Sequence, residues 1–207
     1  MDSISQKIID LAEKHARDLD EKLKERVNEM QNDDLSHYLI YRVLGISEEE
    51  GNLIDLYQNK GRLLYRSAGS FLEKVAVLCF KHKFPSAQKI VIPNDQGTRP
   101  KTFEIDCLVD NRAHEIKWRE ATTDGDHISK EHERVKATQS YGFTPIRVMF
   151  YYPNRKQSVR VQEILSALYN GLGGEYYYGD KAWNYLAQET DIDLKKILSD
   201  IASLKER

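Results

Sequence analysis

The 207-residue sequence has little cysteine, proline or tryptophan, with two, five and two residues of each. Two cysteines, Cys79 and Cys107, cannot form the disulfide framework of a small secreted domain, and their spacing fits no zinc site. No apolar run has the length needed to cross a bilayer, and the first residues show no signal-peptide pattern. The composition therefore predicts a soluble cytoplasmic protein with no membrane partner.

The sequence also lacks a strong net charge and a glycine-rich phosphate loop. Its 31 basic and 33 acidic residues give a formal charge of -2, so no global basic field points to nucleic acid. A local basic face remains possible, because residues 143–160 carry four Arg or Lys and no acid. The basic stretches 81–89, 99–101 and 147–160 are candidates for phosphate contacts. Without a phosphate loop, chemistry on small nucleotides is disfavoured.

Apolar residues at helical spacing predict helices over the front of the chain. One helix is expected over residues 3–30, a second ends at Gly45, and a third begins near Ser47. We expect Gly61 to interrupt this region. A long helix should then run up to Pro85, where it must stop.

The middle of the chain changes to the alternating pattern and β-branched composition of strands. Four strands are predicted, over residues 89–93, 102–109, 113–119 and 145–152. A helix closed by Gly142 separates the last two, so they require a crossover connection. The remaining C-terminal part returns to helices. The sequence thus predicts an α/β fold with a central mixed β-sheet flanked by helices.

Charged side chains interrupt the second and third predicted strands. Strict alternation puts Glu104, Asp106 and Leu108 on one face of the second strand. If the strands pair across the turn between them, Asp106 and Glu115 become neighbours. Two such carboxylates repel each other unless a cation lies between them, and Mg²⁺ is the hard ion that oxygen ligands favour. Lys117 would then position water or offset charge on a phosphoryl group.

A plainer interpretation remains open for the same residues. Charges on one face of a hairpin can mean only a solvated surface with cross-strand ion pairs. A further acid, Glu73, stands among apolar neighbours in the long helix, where a lone carboxylate is costly. It could complete the metal shell or orient a water. Alternatively, it pairs with Lys74, Arg66 or another base.

The order of elements and charged residues resembles that of the PD-(D/E)XK nuclease superfamily. It consists of a helix with Glu73, a strand with Glu104–Asp106 (EID), a strand with Glu115–Lys117 (EIK), and then a helix and a strand. The proline of the motif is absent, and Ile105 precedes the aspartate. The whole chain is similar to the ApaLI-like group of type II restriction endonucleases. That similarity is carried by the stretches NKGRLLYRSAGSFLEKVAVLCF, EIKWREATTDGDHISKE and GDKAWNYLAQETDIDLKKIL.

The resemblance implies a restriction-endonuclease-like core with additional N- and C-terminal helices. It implies an Mg²⁺-dependent homodimer, with Mn²⁺ as a substitute ion, that cuts both strands of double-stranded DNA at a short palindromic site. A cognate DNA methyltransferase and a prokaryotic cytoplasm follow from the same resemblance. The implied catalytic residues are Asp106, Glu115, Lys117 and Glu73, and the implied metal ligands are Asp106, Glu115 and Ile116.

On this basis we expect a single domain over residues 1–207. It would contain an N-terminal helical region (1–60), a nuclease core (61–152) and a C-terminal helical region (153–207). The N-terminal helices and the tyrosine-rich C-terminal part could supply a dimer interface.

The polar segment that follows Lys117 is the candidate for contact with DNA bases. Alternatively, Asp124 or Asp126 only caps the next helix. The tyrosine run at 175–183 could stack on bases, although such clusters more often form an interface or a core edge. The proposed DNA-contacting residues are Arg119, Thr122, Thr123, Asp124, Asp126, His127 and Lys130.

Other functions remain open at this stage. A repair or structure-selective nuclease of the same superfamily would carry the same motif. A catalytically inactive DNA-binding protein is a second alternative, against which the intact acidic and basic residues argue. A protein-interaction module built on the acidic N-terminal helices is a third, but it leaves the charged hairpin unexplained.

Overall fold

A computed structural model describes residues 3–97, 99–119 and 125–205. Within these ranges the chain forms seven helices and five strands. In chain order they are α1 (Ser3–Gln31), α2 (Tyr38–Val43), α3 (Glu48–Lys83), β1 (Gln88–Pro93), β2 (Thr102–Val109), β3 (Arg112–Arg119), α4 (Gly125–Ser140), β4 (Thr144–Tyr151), α5 (Lys156–Gly171), β5 (Glu175–Tyr178), α6 (Asp180–Thr190) and α7 (Leu194–Lys205).

The five strands form one sheet in the order β1-β2-β3-β4-β5. The β1–β2 and β2–β3 pairs are antiparallel, whereas the β3–β4 and β4–β5 pairs are parallel. Helices α4 and α5 provide the crossovers that parallel neighbours require. The predicted fold class, a mixed sheet flanked by helices, is confirmed.

The C-terminal part is not purely helical, as the sequence had suggested, because residues 175–178 add the strand β5. The tyrosines of this segment favour extended structure, and its register with β4 runs from Ile146 opposite Glu175 to Met149 opposite Tyr178. Gly174 lets the chain approach β4, since a Cβ there would lie 2.5 Å from the Pro145 carbonyl oxygen.

The helix α3 continues through Gly61, so the predicted interruption is wrong. A glycine inside a helix costs about 1 kcal/mol relative to alanine, which lowers helix stability without ending the helix. The chain packs as two compact units. One contains residues 9–71 and is helical, and the other contains the sheet and is made of the described residues within 1–8 and 72–207. Among the described residues, no helix is long and apolar enough to cross a membrane.

A bulge in β2 breaks the alternation expected from the sequence. Gln88 lies opposite Leu108 but Ile90 lies opposite Ile105, so two residues of β2 face one residue of β1. Leu108 consequently packs in one buried cluster with Phe103 and Ile105 instead of sharing a face with Glu104. Such bulges redirect side chains, and this one falls at residues 106–107, which include the predicted site residue Asp106.

Candidate active site

The hairpin of β2 and β3 brings the two predicted acids together. Its turn contains Asp110, whose φ of 53° lies in the left-handed region that aspartate tolerates. The backbone ladder pairs Val109 with Arg112 and Cys107 with His114. The described pairing ends there, and the next residue along each strand is one of the two acids, Asp106 on β2 and Glu115 on β3, each only 6% exposed.

The Asp106 carboxylate is held inside the fold by a backbone group of the neighbouring strand. The Ile116 N–H donates to Asp106 Oδ2 at 2.8 Å. Burial and, to a smaller extent, the negative charge of Glu115 raise the pKa of Asp106 to about 7, although the positive charge of Lys117 opposes this shift. The ionised form of this carboxyl group is therefore unfavourable, and a nearby cation would stabilise it.

Two cations bind the Glu115 carboxylate, one at each oxygen. Lys117 Nζ lies 2.5 Å from Oε1, and Arg134 Nη1 lies 3.1 Å from Oε2. Burial lowers the pKa of Lys117, but Glu115 and Asp106 raise it more, so the net shift is upward. Lys117 is thus protonated at neutral pH, with about a third of its side chain exposed.

The third predicted acid, Glu73, is paired with a base at the edge of this cluster. Lys89 Nζ lies 3.2 Å from Glu73 Oε1 and 2.7 Å from Glu104 Oε1. This matches the alternative interpretation, in which Glu73 pairs with a base, here Lys89. The negative charge of Glu73 nevertheless contributes to the raised pKa of Asp106.

Sequence reasoning missed a buried charged group next to Glu115. Glu131 on α4 accepts hydrogen bonds from Arg134 Nε at 3.1 Å, from Arg147 Nη1 at 2.8 Å and from the Tyr169 hydroxyl at 3.0 Å. Burial raises the pKa of Glu131, but Arg147 and Arg134 lower it more, so the net shift is downward. The signal was an arginine inside the apolar strand PIRVMFYY, which a buried acid had to neutralise.

The basic stretch 147–160 is therefore only partly available for phosphate. Arg147 is fully buried against Glu131, so the suggestion that it contacts DNA is wrong. Lys89, from the stretch 81–89, is already engaged by two acids.

The opposite face of the hairpin carries a buried histidine. The His114 ring nitrogens lie 3.0 Å from the Cys107 carbonyl oxygen and 2.8 Å from the Tyr185 hydroxyl. Burial lowers the pKa of His114 to about 4, so the ring is neutral at physiological pH. His114 thus packs the sheet against Phe80 and α6 and lies apart from the acids and Lys117.

The structure describes four of the seven predicted DNA-contacting residues. Arg119 is exposed at the end of β3, and its guanidinium lies 5.9 Å from the ring centroid of Trp118. Asp126, His127 and Lys130 lie in the first turns of α4, of which Asp126 and Lys130 are exposed. The remaining three, Thr122, Thr123 and Asp124, fall outside the described residues.

The donor groups around Asp106 fit a hard divalent cation. Two buried carboxylates of like charge lie here, and carboxylate oxygens are ligands that Mg²⁺ prefers. The Ile116 side chain is apolar and buried, so only its carbonyl could serve as a ligand. In the described part of the chain, no three His, Cys, Asp or Glu side chains converge on a metal position. A cation here would therefore need backbone, water or phosphate oxygens as well.

A mixed sheet with two buried acids and a lysine at one hairpin is the arrangement expected of a restriction-endonuclease-like core. The family model of the ApaLI-like restriction endonucleases matches residues 1–203, and the chain belongs to this family. The resemblance found in the sequence is thereby confirmed. No curated protein and no solved structure matches the chain.

Proposed function

We propose that this protein is an Mg²⁺-dependent endonuclease that cuts double-stranded DNA at a short palindromic site, with Mn²⁺ able to replace Mg²⁺. One observation carries the proposal. Asp106 and Glu115 are buried side by side next to the protonated Lys117, which is the residue set that hydrolysis of a phosphodiester requires.

In this mechanism Asp106, Glu115 and the Ile116 carbonyl would hold the cation. A bound divalent ion acidifies water and neutralises charge on a phosphate. Lys117 places a positive charge beside the reacting phosphate, where it positions the attacking water and offsets the charge that develops on oxygen. Glu73, held by Lys89, adds negative charge at the rim and helps orient the water.

Recognition of the site is assigned to the segment between β3 and α4. Arg119, Asp126, His127 and Lys130 border it, and Thr122, Thr123 and Asp124 lie within it. Side chains of this kind read donor and acceptor groups in the major groove. A palindrome presents two equivalent half-sites, which a two-fold homodimer with one active site per subunit matches.

The proposed setting is the cytoplasm of a prokaryotic cell, beside a cognate DNA methyltransferase. An enzyme that cuts a short site would also cut the DNA of its host, so protection of that site must accompany it. The supporting fact is membership of a restriction endonuclease family.

The test is a digest of a long defined duplex with Mg²⁺, with EDTA, and with the Lys117→Ala variant. Discrete fragments that require Mg²⁺ and Lys117 are the expected result, and their ends would identify the site. A smear would instead indicate a nonspecific or structure-selective nuclease. No cutting on several DNAs would refute the proposal and leave a DNA-binding protein as the better description.

A further inference from the structure

Arg134 reaches from α4 to both strands of the active-site hairpin. Its Nη1 donates to the Glu104 carbonyl oxygen at 2.8 Å and to Glu115 Oε2 at 3.1 Å. The guanidinium also lies 5.0 Å from the ring centroid of Phe103. Arg134 therefore contacts β2 and β3 at the same point.

That point is where backbone pairing between the two strands stops. In the described β2–β3 ladder, Cys107 and His114 form the last pair on the side away from the turn. Beyond it, side chains make the connection: Ile116 donates to the Asp106 carboxylate, and Arg134 spans the strands. The distance between the carboxylates of Asp106 and Glu115 is thus set by side-chain contacts.

Arg134 itself has a rigid anchor. Its Nε donates to Glu131, whose other oxygen accepts from Arg147 on β4 and Tyr169 on α5. Glu131 is 3% exposed and Arg147 is fully buried. Breaking a buried, hydrogen-bonded charge pair is strongly unfavourable, so the guanidinium has one preferred position. Because the guanidinium is planar, fixing its Nε against Glu131 also fixes the Nη1 that binds Glu115.

We propose that Arg134 is a positioning residue for metal binding: it fixes the Glu115 carboxylate from behind, and Glu131 fixes Arg134. The inference rests on the proposed function, because it takes Glu115 as a metal ligand. Arg134 engages Oε2 and Lys117 engages Oε1, so only one oxygen of Glu115 is tied to α4. Groups that orient a ligand from outside commonly change metal affinity by roughly 10- to 100-fold.

A purely structural role for the same contacts makes a different prediction. If Arg134 only joins α4 to the sheet, its loss lowers the melting temperature but leaves the metal affinity of the folded protein unchanged. If it positions Glu115, metal affinity falls in protein that is still folded. The two roles are separated by measuring both quantities on the same variants.

The experiment titrates Mn²⁺ into DNA-free protein and follows free Mn²⁺ by electron paramagnetic resonance, with the melting temperature measured in parallel. Arg134→Gln is expected to weaken Mn²⁺ binding roughly 10- to 100-fold. Arg134→Lys keeps the charge but not the fork, so an intermediate loss is expected. Lys136→Gln changes an exposed residue of the same helix and should bind like the wild type.

Folded Arg134→Gln protein with wild-type Mn²⁺ affinity would overturn the inference. If that variant does not fold, Arg134→Lys decides, and wild-type affinity in it has the same meaning. The proposed function is judged separately: if the wild type cuts DNA with Mg²⁺ while the variants keep their affinity, only the role of Arg134 is wrong. If the wild type binds no Mn²⁺ and cuts no DNA, both fail.

Discussion

Asp106 Oδ2 accepts a hydrogen bond from the backbone N–H of Ile116 at 2.8 Å. A side chain of β2 thus replaces a backbone group of β2 as the partner of Ile116 on β3, just beyond the last backbone pair of the ladder. The bulge at residues 106–107 and this bond together hold a buried carboxylate beside Glu115. The negative charge of Asp106 is unfavourable in this position, so its pKa is raised.

Replacing Asp106 by Asn should stabilise the metal-free protein at alkaline pH. The amide oxygen can still accept from Ile116, but the buried charge is gone. Because the folded pKa of about 7 exceeds the ordinary 3.8, the wild type loses stability as the pH rises between these values. The stability gain of the variant should grow over that range to on the order of 4 kcal/mol and then stay constant.

Urea unfolding in EDTA between pH 5 and pH 8.5 measures this difference in the free energy of unfolding. Parallel stability profiles for the two proteins would contradict the raised pKa of Asp106. The same variant should cut no DNA, since an amide is a poor replacement for an anionic ligand.

Lys117→Ala should separate cleavage from binding. Arg134 remains on Glu115 after the change, so the fold is expected to persist. The cation beside the reacting phosphate is lost, which should slow cleavage by at least about 100-fold. Single-turnover cleavage with Mg²⁺, and duplex binding with Ca²⁺, would show the two effects, with Lys136→Ala as the control. Normal cutting by Lys117→Ala would refute the site.

Glu73→Gln and Glu104→Gln form a matched pair, because both acids bind Lys89. Of these two acids, only Glu73 contributes to the raised pKa of Asp106. We therefore expect Glu73→Gln to lower cleavage by roughly 10-fold and to require more Mg²⁺, while Glu104→Gln has little effect. Initial rates over a range of Mg²⁺ concentrations give the answer. Equal effects from both changes would reduce Glu73 to a partner of Lys89.

Gly61→Ala should stabilise α3 by about 0.5–1 kcal/mol. A Cβ at this position meets no atom within 4 Å. At Gly51, in the same helix, a Cβ would lie 2.6 Å from Tyr41 Cδ2, so the gain there is offset by a shift of that ring. Melting temperatures of Gly61→Ala and Gly51→Ala should thus rank in that order. A drop for Gly61→Ala would mean that the glycine serves another purpose.

Much of the sheet was predictable, because alternating patterns are local properties of the chain. The bounds of β2 were predicted to the residue, and β1, β3 and β4 to within one residue at either end. The short β5 was missed, since four residues carry too little pattern and its pairing with β4 is a tertiary contact. The predicted interruption at Gly61 was wrong for the opposite reason. The low helix propensity of one glycine is a local property, and the helical residues on either side of it outweigh that property.

The sequence by itself determined which ionisable groups come together, because Asp106, Glu115 and Lys117 lie on adjacent strands whose pairing follows from one short turn. Only the tertiary structure decided how those groups are held. Arg134 lies 30 residues from Glu104, and Tyr169 lies 38 residues from Glu131, so no periodicity records these contacts. They arise because burying Arg147 in the sheet requires an acid, and packing of α4 against the sheet supplies it.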